Sequence, residues 1–180
     1  MPNLKPFRDY DEHDVINLFA YDGTAVNKGT LVKVKSTAGW ESTDELGLSH
    51  GVSDFAPGNV ISQRYNVSAL VENATSGDTP LGMLLYEVAE TDENGEKLIY
   101  NPQKAAEMNV VVSGQAVPIA TKGIFLVNGV DQQGGTITAG SKAYAHNSGL
   151  FTNVSDGTIE VGKFLGAKDD NGDVLIKLNL

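Results

Sequence analysis

A chain of 180 residues forms one domain or two small ones and buries about 70% of the surface its unfolded form exposes, so a core forms without covalent staples. The absence of Cys excludes disulfides, thiolate metal sites and cysteine nucleophiles together. A net charge of −10, with 13 Lys and Arg scattered rather than grouped, leaves no stripe able to neutralise a phosphate backbone, and no direct nucleic-acid partner is expected.

The opening residues lack an apolar run of signal-peptide type, and no stretch of about eighteen consecutive apolar residues occurs anywhere. A protein made in the cytoplasm, with no membrane partner, is the expectation. Twenty Gly, many Thr, Val and Asn, and little sustained helical periodicity predict a mainly β fold.

Residues 1–14 combine Pro2 and Pro6, which oppose a helix, with Phe7 and Tyr10, which have nothing local to pack on. They read as an extended N-terminal arm, and residues 15–180 as the β-rich domain. Residues 15–21 and 30–35 predict two strands joined as a hairpin through the turn material at Asp22-Gly23 and 27–29. Residues 36–59 lose apolar density and are broken by Gly39, Gly47, Gly51, Pro57 and Gly58, which predicts a long loop with Trp40 and Phe55 as anchors.

Strand character returns over 60–71, and 75–80 is a turn. Residues 81–89 and 97–100 flank Asn94-Gly95 as a second predicted hairpin. Asn101 as N-cap and Pro102 at the first helical position then open one short helix through Met108, about two turns long. Residues 110–112 resume β character, and residues 123–180 carry short apolar runs separated by Gly, Asn and Asp clusters, the pattern of an antiparallel meander. In its last turn Asn171-Gly172 suits a type I′ hairpin. Beyond it Val174, Ile176, Leu178 and Leu180 fall on one face, with Lys177 and Asn179 on the other.

Motifs with chemical potential are few, and no catalytic, cofactor-binding or metal-ligating residue is assigned. Gly47-Leu48-Ser49-His50-Gly51 fits the nucleophile-elbow string, which needs a buried strand before the Ser and a helix after it. The polar residues 41–45 and Pro57-Gly58 deny both, so a serine hydrolase using Ser49, with His146 as base, is only a third reading. Residues 135–142 place Ser141 before Lys142 and so miss the P-loop order. Asp169, Asp170, Asn171 and Asp173 resemble half of a calcium loop without its distal Glu. His13 with the acidic arm offers at most an unspecific cation site, His50 and His146 stand alone, and the sequons at Asn66, Asn73 and Asn153 matter only in a secreted eukaryotic protein. Residues 83–85 and 124–127 are apolar enough for a cofactor pocket but read more simply as core strands.

Asn17-Leu18-Phe19-Ala20, Gly23-Thr24 and Gly29-Thr30-Leu31-Val32 precede the Gly-punctuated meander, which ends in Gly162-Lys163-Phe164-Leu165-Gly166, residues 169–172 and residues 174–178. With residues 101–108 and 123–126, this order resembles the capsid decoration (cement) proteins of tailed bacteriophages, over most of residues 15–180. The resemblance implies a small antiparallel β-barrel or tulip-like sheet domain, assembled as a homotrimer on the outer surface of the mature capsid. There it would sit at threefold or quasi-threefold junctions and cement neighbouring copies of the major capsid protein, without cofactor or catalysis. On this reading the arm adds a strand to a capsid subunit's sheet edge, and Leu4, Phe7, Arg8 and Tyr10 are the candidate capsid contacts. The alternative in the same setting is a fibre-base or carbohydrate-binding attachment module, for which Trp40, Tyr65 and Tyr144 are dispersed in sequence.

Overall fold

A computed structural model describes residues 14–40, 67, 69–131, 135–155 and 159–180, together with the backbone of residues 4–6. In chain order the strands are β1 (Leu4–Pro6), β2 (Val15–Ile16), β3 (Ala20–Tyr21), β4 (Leu31–Val34), β5 (Leu70–Asn73), β6 (Gly82–Leu84) and β7 (Glu87–Ala89). Helix α1 (Pro102–Met108) follows. The remaining strands are β8 (Val110–Val112), β9 (Ile119–Ala120), β10 (Lys122–Val127), β11 (Val130–Asp131), β12 (Lys142–His146), β13 (Leu150–Thr152), β14 (Glu160–Phe164) and β15 (Val174–Asn179). The mainly β class and the one α-helix among the described residues agree with the sequence. Among the described residues the sheets are open, and none closes into the barrel that the sequence left as one option.

Seven strands form the larger sheet in the order β1-β10-β15-β14-β12-β13-β11, and six form the second in the order β2-β9-β6-β4-β5-β3. The large sheet is buried on one face. Phe125, Phe151, Phe164, Val174, Ile176 and Leu178 turn inward into a single cluster with Leu31, Met83 and Ala120 of the second sheet. The second sheet is buried on both faces, because the neighbours of those residues, Val32, Leu84 and Ile119, point the other way into a separate cluster with Phe19, Val67, Val88 and Val117. Successive side chains of a strand alternate sides. That geometry explains why β15 reads apolar-polar in alternation while β4 and β6 read as continuous apolar runs.

Beyond the second cluster, β7 and β8 pair in parallel as a two-stranded sheet, with α1 and a 3-10 turn at Leu98–Tyr100 beside it. Leu98, Ala105 and Val112 give this lobe its own small core. The helix begins as its sequence predicts: Asn101 Oδ1 accepts the Lys104 N–H at 3.2 Å, and Pro102 takes the first turn. It ends at Asn109, held in the left-handed region at φ 54°.

Several local expectations give way to non-local pairing. The hairpin of residues 15–35 does not form. Instead β2 pairs with β9, β3 runs parallel to β5, and β4 lies between β5 and β6. Of the predicted strand at residues 97–100, Leu98–Tyr100 is the 3-10 turn, so Asn94-Gly95 closes a tight turn with one bridge, Thr91 to Lys97, in place of a hairpin. The C-terminal strands are not a plain meander either: the last strand, β15, lies between β10 and β14 at the middle of the sheet. Residues 41–66, including most of the predicted 36–59 loop, lie outside the described residues.

The two Asn-Gly turns share one construction that differs from type I′. Asp169 Oδ1 accepts the N–H groups of Asn171 and Asp173 at 2.9 and 2.8 Å, and Asp92 Oδ1 accepts those of Asn94 and Glu96 at 2.8 and 2.9 Å. Only the glycines, Gly172 and Gly95, take positive φ. The Asp side chain thus does the work that a second left-handed residue would do in a two-residue loop. Asp169, half of the supposed calcium loop, spends this oxygen on its own backbone.

Candidate interaction surface

The arm returns to its own sheet. Leu4, Lys5 and Pro6 stand opposite Val127, Leu126 and Phe125 along the outer edge of β10. Phe7, Arg8 and Tyr10 lie outside the described residues, so of the four candidate contacts only Leu4 is placed, at a register position on an edge strand. β10 also pairs along its whole length with β15 on its other side, from Lys122–Asn179 to Val127–Val174. The outer edge of β10 is therefore a formed template that β1 occupies and that another extended segment takes only in place of β1.

Of three of the concavities among the described residues, one of about 390 Å³ on the outer face of the large sheet gathers Glu160, Lys163 and Lys177, and the other two hold no unpaired acid or base. A cleft of about 460 Å³ in the α1 lobe is lined by Leu98, Ile99, Pro102, Ala105, Ala106, Val110, Val112 and Gln115, without an ionisable side chain. A second, of about 420 Å³, contains Lys33, Glu72 and Asp78, but these are already paired. Lys33 Nζ lies 2.9 Å from Asp78 and 3.3 Å from Glu72, and Asp78 Oδ2 also accepts the Thr75 N–H and hydroxyl at 2.8 and 2.7 Å. Partial burial works against the Asp78 carboxylate, but the Thr75 and Lys33 hydrogen bonds together outweigh it and hold its pKa below the ordinary value. Lys33 is correspondingly raised, first by its hydrogen bond to Asp78. This network fastens the turn at residues 75–78 to β4.

The other motif residues find structural roles or fall outside the described residues. Ser49, His50, Tyr65 and Asn66 belong to the latter group. His146 Nε2 lies 3.3 Å from Asp131 Oδ2, a pair that ties β12 to the sheet's β11 edge. Tyr144 is only 9% exposed, so it presents no ring to a sugar, whereas Trp40 is 49% exposed. Asn73 accepts the Tyr21 hydroxyl at 3.0 Å. Lys142 points outward and pairs with Glu160 at 2.8 Å, which raises the pKa of the amine and lowers that of the carboxylate. Met83, Leu84, Phe125 and Val127 are buried core residues.

Residues 105–180 match the family described as phage cement protein. No curated protein matches the chain. The matched span begins inside α1 and runs through β8, β9 and six of the seven strands of the large sheet, β10 to β15. The phage cement likeness read from the sequence is borne out over that span, and the family it matches is a structural, capsid-associated one. The opening motif at residues 17–32 precedes the matched span.

Sequence reasoning set Lys177 on the outer side of the last strand, but it could not see what stands beside it. Lys142 pairs in register with Lys163, and Lys163 with Lys177, across β12, β14 and β15. Alternation within each strand is legible in a sequence. The row of lysines exists only through the register of three strands that are separated in sequence.

Proposed function

We propose that the chain is a cement protein of the outer capsid surface, a homotrimer that sits at threefold or quasi-threefold junctions and clamps neighbouring major capsid subunits. The observation that carries this reading is the family match over nearly the whole large sheet. It is supported by the cleft of the α1 lobe, which holds no ionisable side chain, and by the second cleft, where Lys33 pairs with both Glu72 and Asp78. A protein that binds only the expanded lattice stabilises it by mass action, and many copies multiply a modest free energy against the pressure of packaged DNA. The chain acts by adhesion, not turnover, after synthesis in the host cytoplasm.

In this mechanism the arm is the capsid-contacting segment, and Leu4, Phe7, Arg8 and Tyr10 engage the edge and pockets of a capsid subunit. In the isolated chain β1 rests on β10 through three register positions only. Such a short edge strand exchanges at little cost for a longer pairing on the capsid. The experiment is deletion of residues 1–14, followed by circular dichroism and by incubation with expanded capsids that lack the protein. The expected result is an unchanged fold and lost occupancy; a truncated chain that decorates capsids as well as the full one would reject the arm's role.

A further inference from the structure

The outer face of the large sheet is organised in two rows. One is basic: Ile124 of β10 stands opposite Lys177, Lys177 opposite Lys163, and Lys163 opposite Lys142. The adjacent row is apolar. Leu126 stands opposite Leu175, whose carbonyl accepts the Leu165 N–H, and Leu165 is 41% exposed. Lys142 has Glu160 as its partner, but among the described residues no carboxylate pairs with Lys163 or Lys177. Like charges directly opposite on a sheet destabilise it. Glu160 is the one carboxylate that lines the concavity of Lys163 and Lys177, against three lysines in the row. In a chain of net charge −10, this basic row beside half-buried and exposed leucines is a surface shaped for an acidic partner that also brings apolar groups.

The same chain carries that chemistry elsewhere. Residues 87–107 hold six carboxylates, Glu87, Glu90, Asp92, Glu93, Glu96 and Glu107, against two lysines. Both lysines are already engaged, Lys97 with Glu90 at 3.4 Å and Lys104 with Glu93 at 3.1 Å. Glu96 and Glu107 are exposed and outside any ion pair among the described residues. Beside them Ile99 and Tyr100 are 53% and 84% exposed, the most exposed large apolar side chains described. Tyr100 has only two side-chain torsions to fix on docking, so it offers a large contact area at low entropic cost, which suits it as an anchor.

We propose that the outer face of the large sheet docks the β7–α1–β8 lobe of a second copy of this chain, with Ile99 and Tyr100 on the leucine row and Glu96 and Glu107 facing Lys163 and Lys177. The two surfaces cannot meet within one chain. The lobe packs through Val88 and Val111 on the far side of the six-stranded sheet, while the basic face looks away from that sheet altogether. The contact is therefore head to tail, and a head-to-tail contact closes into a ring when its rotation permits. The inference deepens the homotrimer of the proposed function, and rests on it for the copy number; it supplies the surfaces.

The test is the native mass of the full chain by sedimentation at low and high salt, with circular dichroism to monitor folding. Three variants are compared with the parent: Lys163→Glu with Lys177→Glu, Glu96→Lys with Glu107→Lys, and all four changes together. The substituted positions are on the surface, so each variant folds. The parent is expected to associate, more tightly at low salt. Each charge-reversed pair should lose about tenfold or more in association constant, and the fourfold variant should recover it. A parent that stays monomeric, a lysine-reversed chain of unchanged mass, or a fourfold variant that fails to recover would each overturn the proposal. Capsid occupancy by the parent is measured separately. A monomer that decorates capsids through the lysine face overturns this inference and leaves the cement role standing, whereas an associated chain that never binds capsids does the reverse.

Discussion

Lys163 and Lys177 face each other directly across β14 and β15, on the outer side of the sheet, and among the described residues neither is in an ion pair, the Glu160 carboxylate of the same concavity being paired with Lys142. Two like charges set directly opposite, where one exchange would create an attractive pair, cost the fold some stability. Lys163→Glu should therefore stabilise the dilute, dissociated chain by about 0.5 kcal/mol, since Glu there faces Lys177 on one side and Lys142 on the other. Thermal melts at a concentration below association check this. A fall in midpoint would mean that the row is not strained in the free chain.

Gly162 crosses close to the backbone of β15. A Cβ at this position would fall well inside contact distance of the Lys177 carbonyl oxygen, a backbone atom that has no room to retreat. Gly162→Ala should cost roughly 3 kcal/mol as the β14–β15 pairing is forced apart. Gly166→Ala is the control, because nothing lies within 4 Å of a Cβ there, and its effect should stay within about 0.5 kcal/mol. Urea denaturation of the two variants separates the outcomes.

Asn101 supplies the side-chain oxygen that satisfies a free N–H at the start of α1. Replacing it by Ala should cost about 1 kcal/mol. The loss should be local, because the helix belongs to the small core of Leu98, Ala105 and Val112. Hydrogen exchange is expected to accelerate at residues 102–108 with little change in β10, β14 or β15.

Acid should loosen the turn at residues 75–78 before the sheets. The folded-state pKa of Asp78 lies below its ordinary value of 3.8. Its contribution is therefore fully present above that value and is lost as pH falls through the lower, folded value. Because the pair with Lys33 is partly solvated, the contribution is at most about 1 kcal/mol. Asp78→Asn should remove this part of the acid dependence in a melt series from pH 5 to pH 2, taken as about the range over which carboxylates titrate. An unchanged series in the variant would contradict it.

What the sequence disclosed was what chemistry decides locally. Asn101 and Pro102 announce α1 because capping involves groups within one turn of each other. Val174, Ile176 and Leu178 announce β15 because one of its faces meets water. The pairing of residues 15–35 was misread for the opposite reason: Ala20 finds its partner at Leu70, in a parallel contact that no turn residue signals. Leu31-Val32 and Met83-Leu84 hide their alternation because both sides of their sheet are buried. The lysine row needed strand registers, and the arm's return to β10 needed knowledge of which edge was open. Of the candidate contacts, Leu4 alone could be set on that edge.

The cement role is tested most directly by adding the purified chain to expanded capsids that lack it and imaging the particles. The account predicts saturable density on the outer surface at threefold or quasi-threefold junctions, with decorated particles surviving heating that bursts bare ones. A chain that remains in the soluble fraction, leaving the capsids bare and no more resistant, would contradict it.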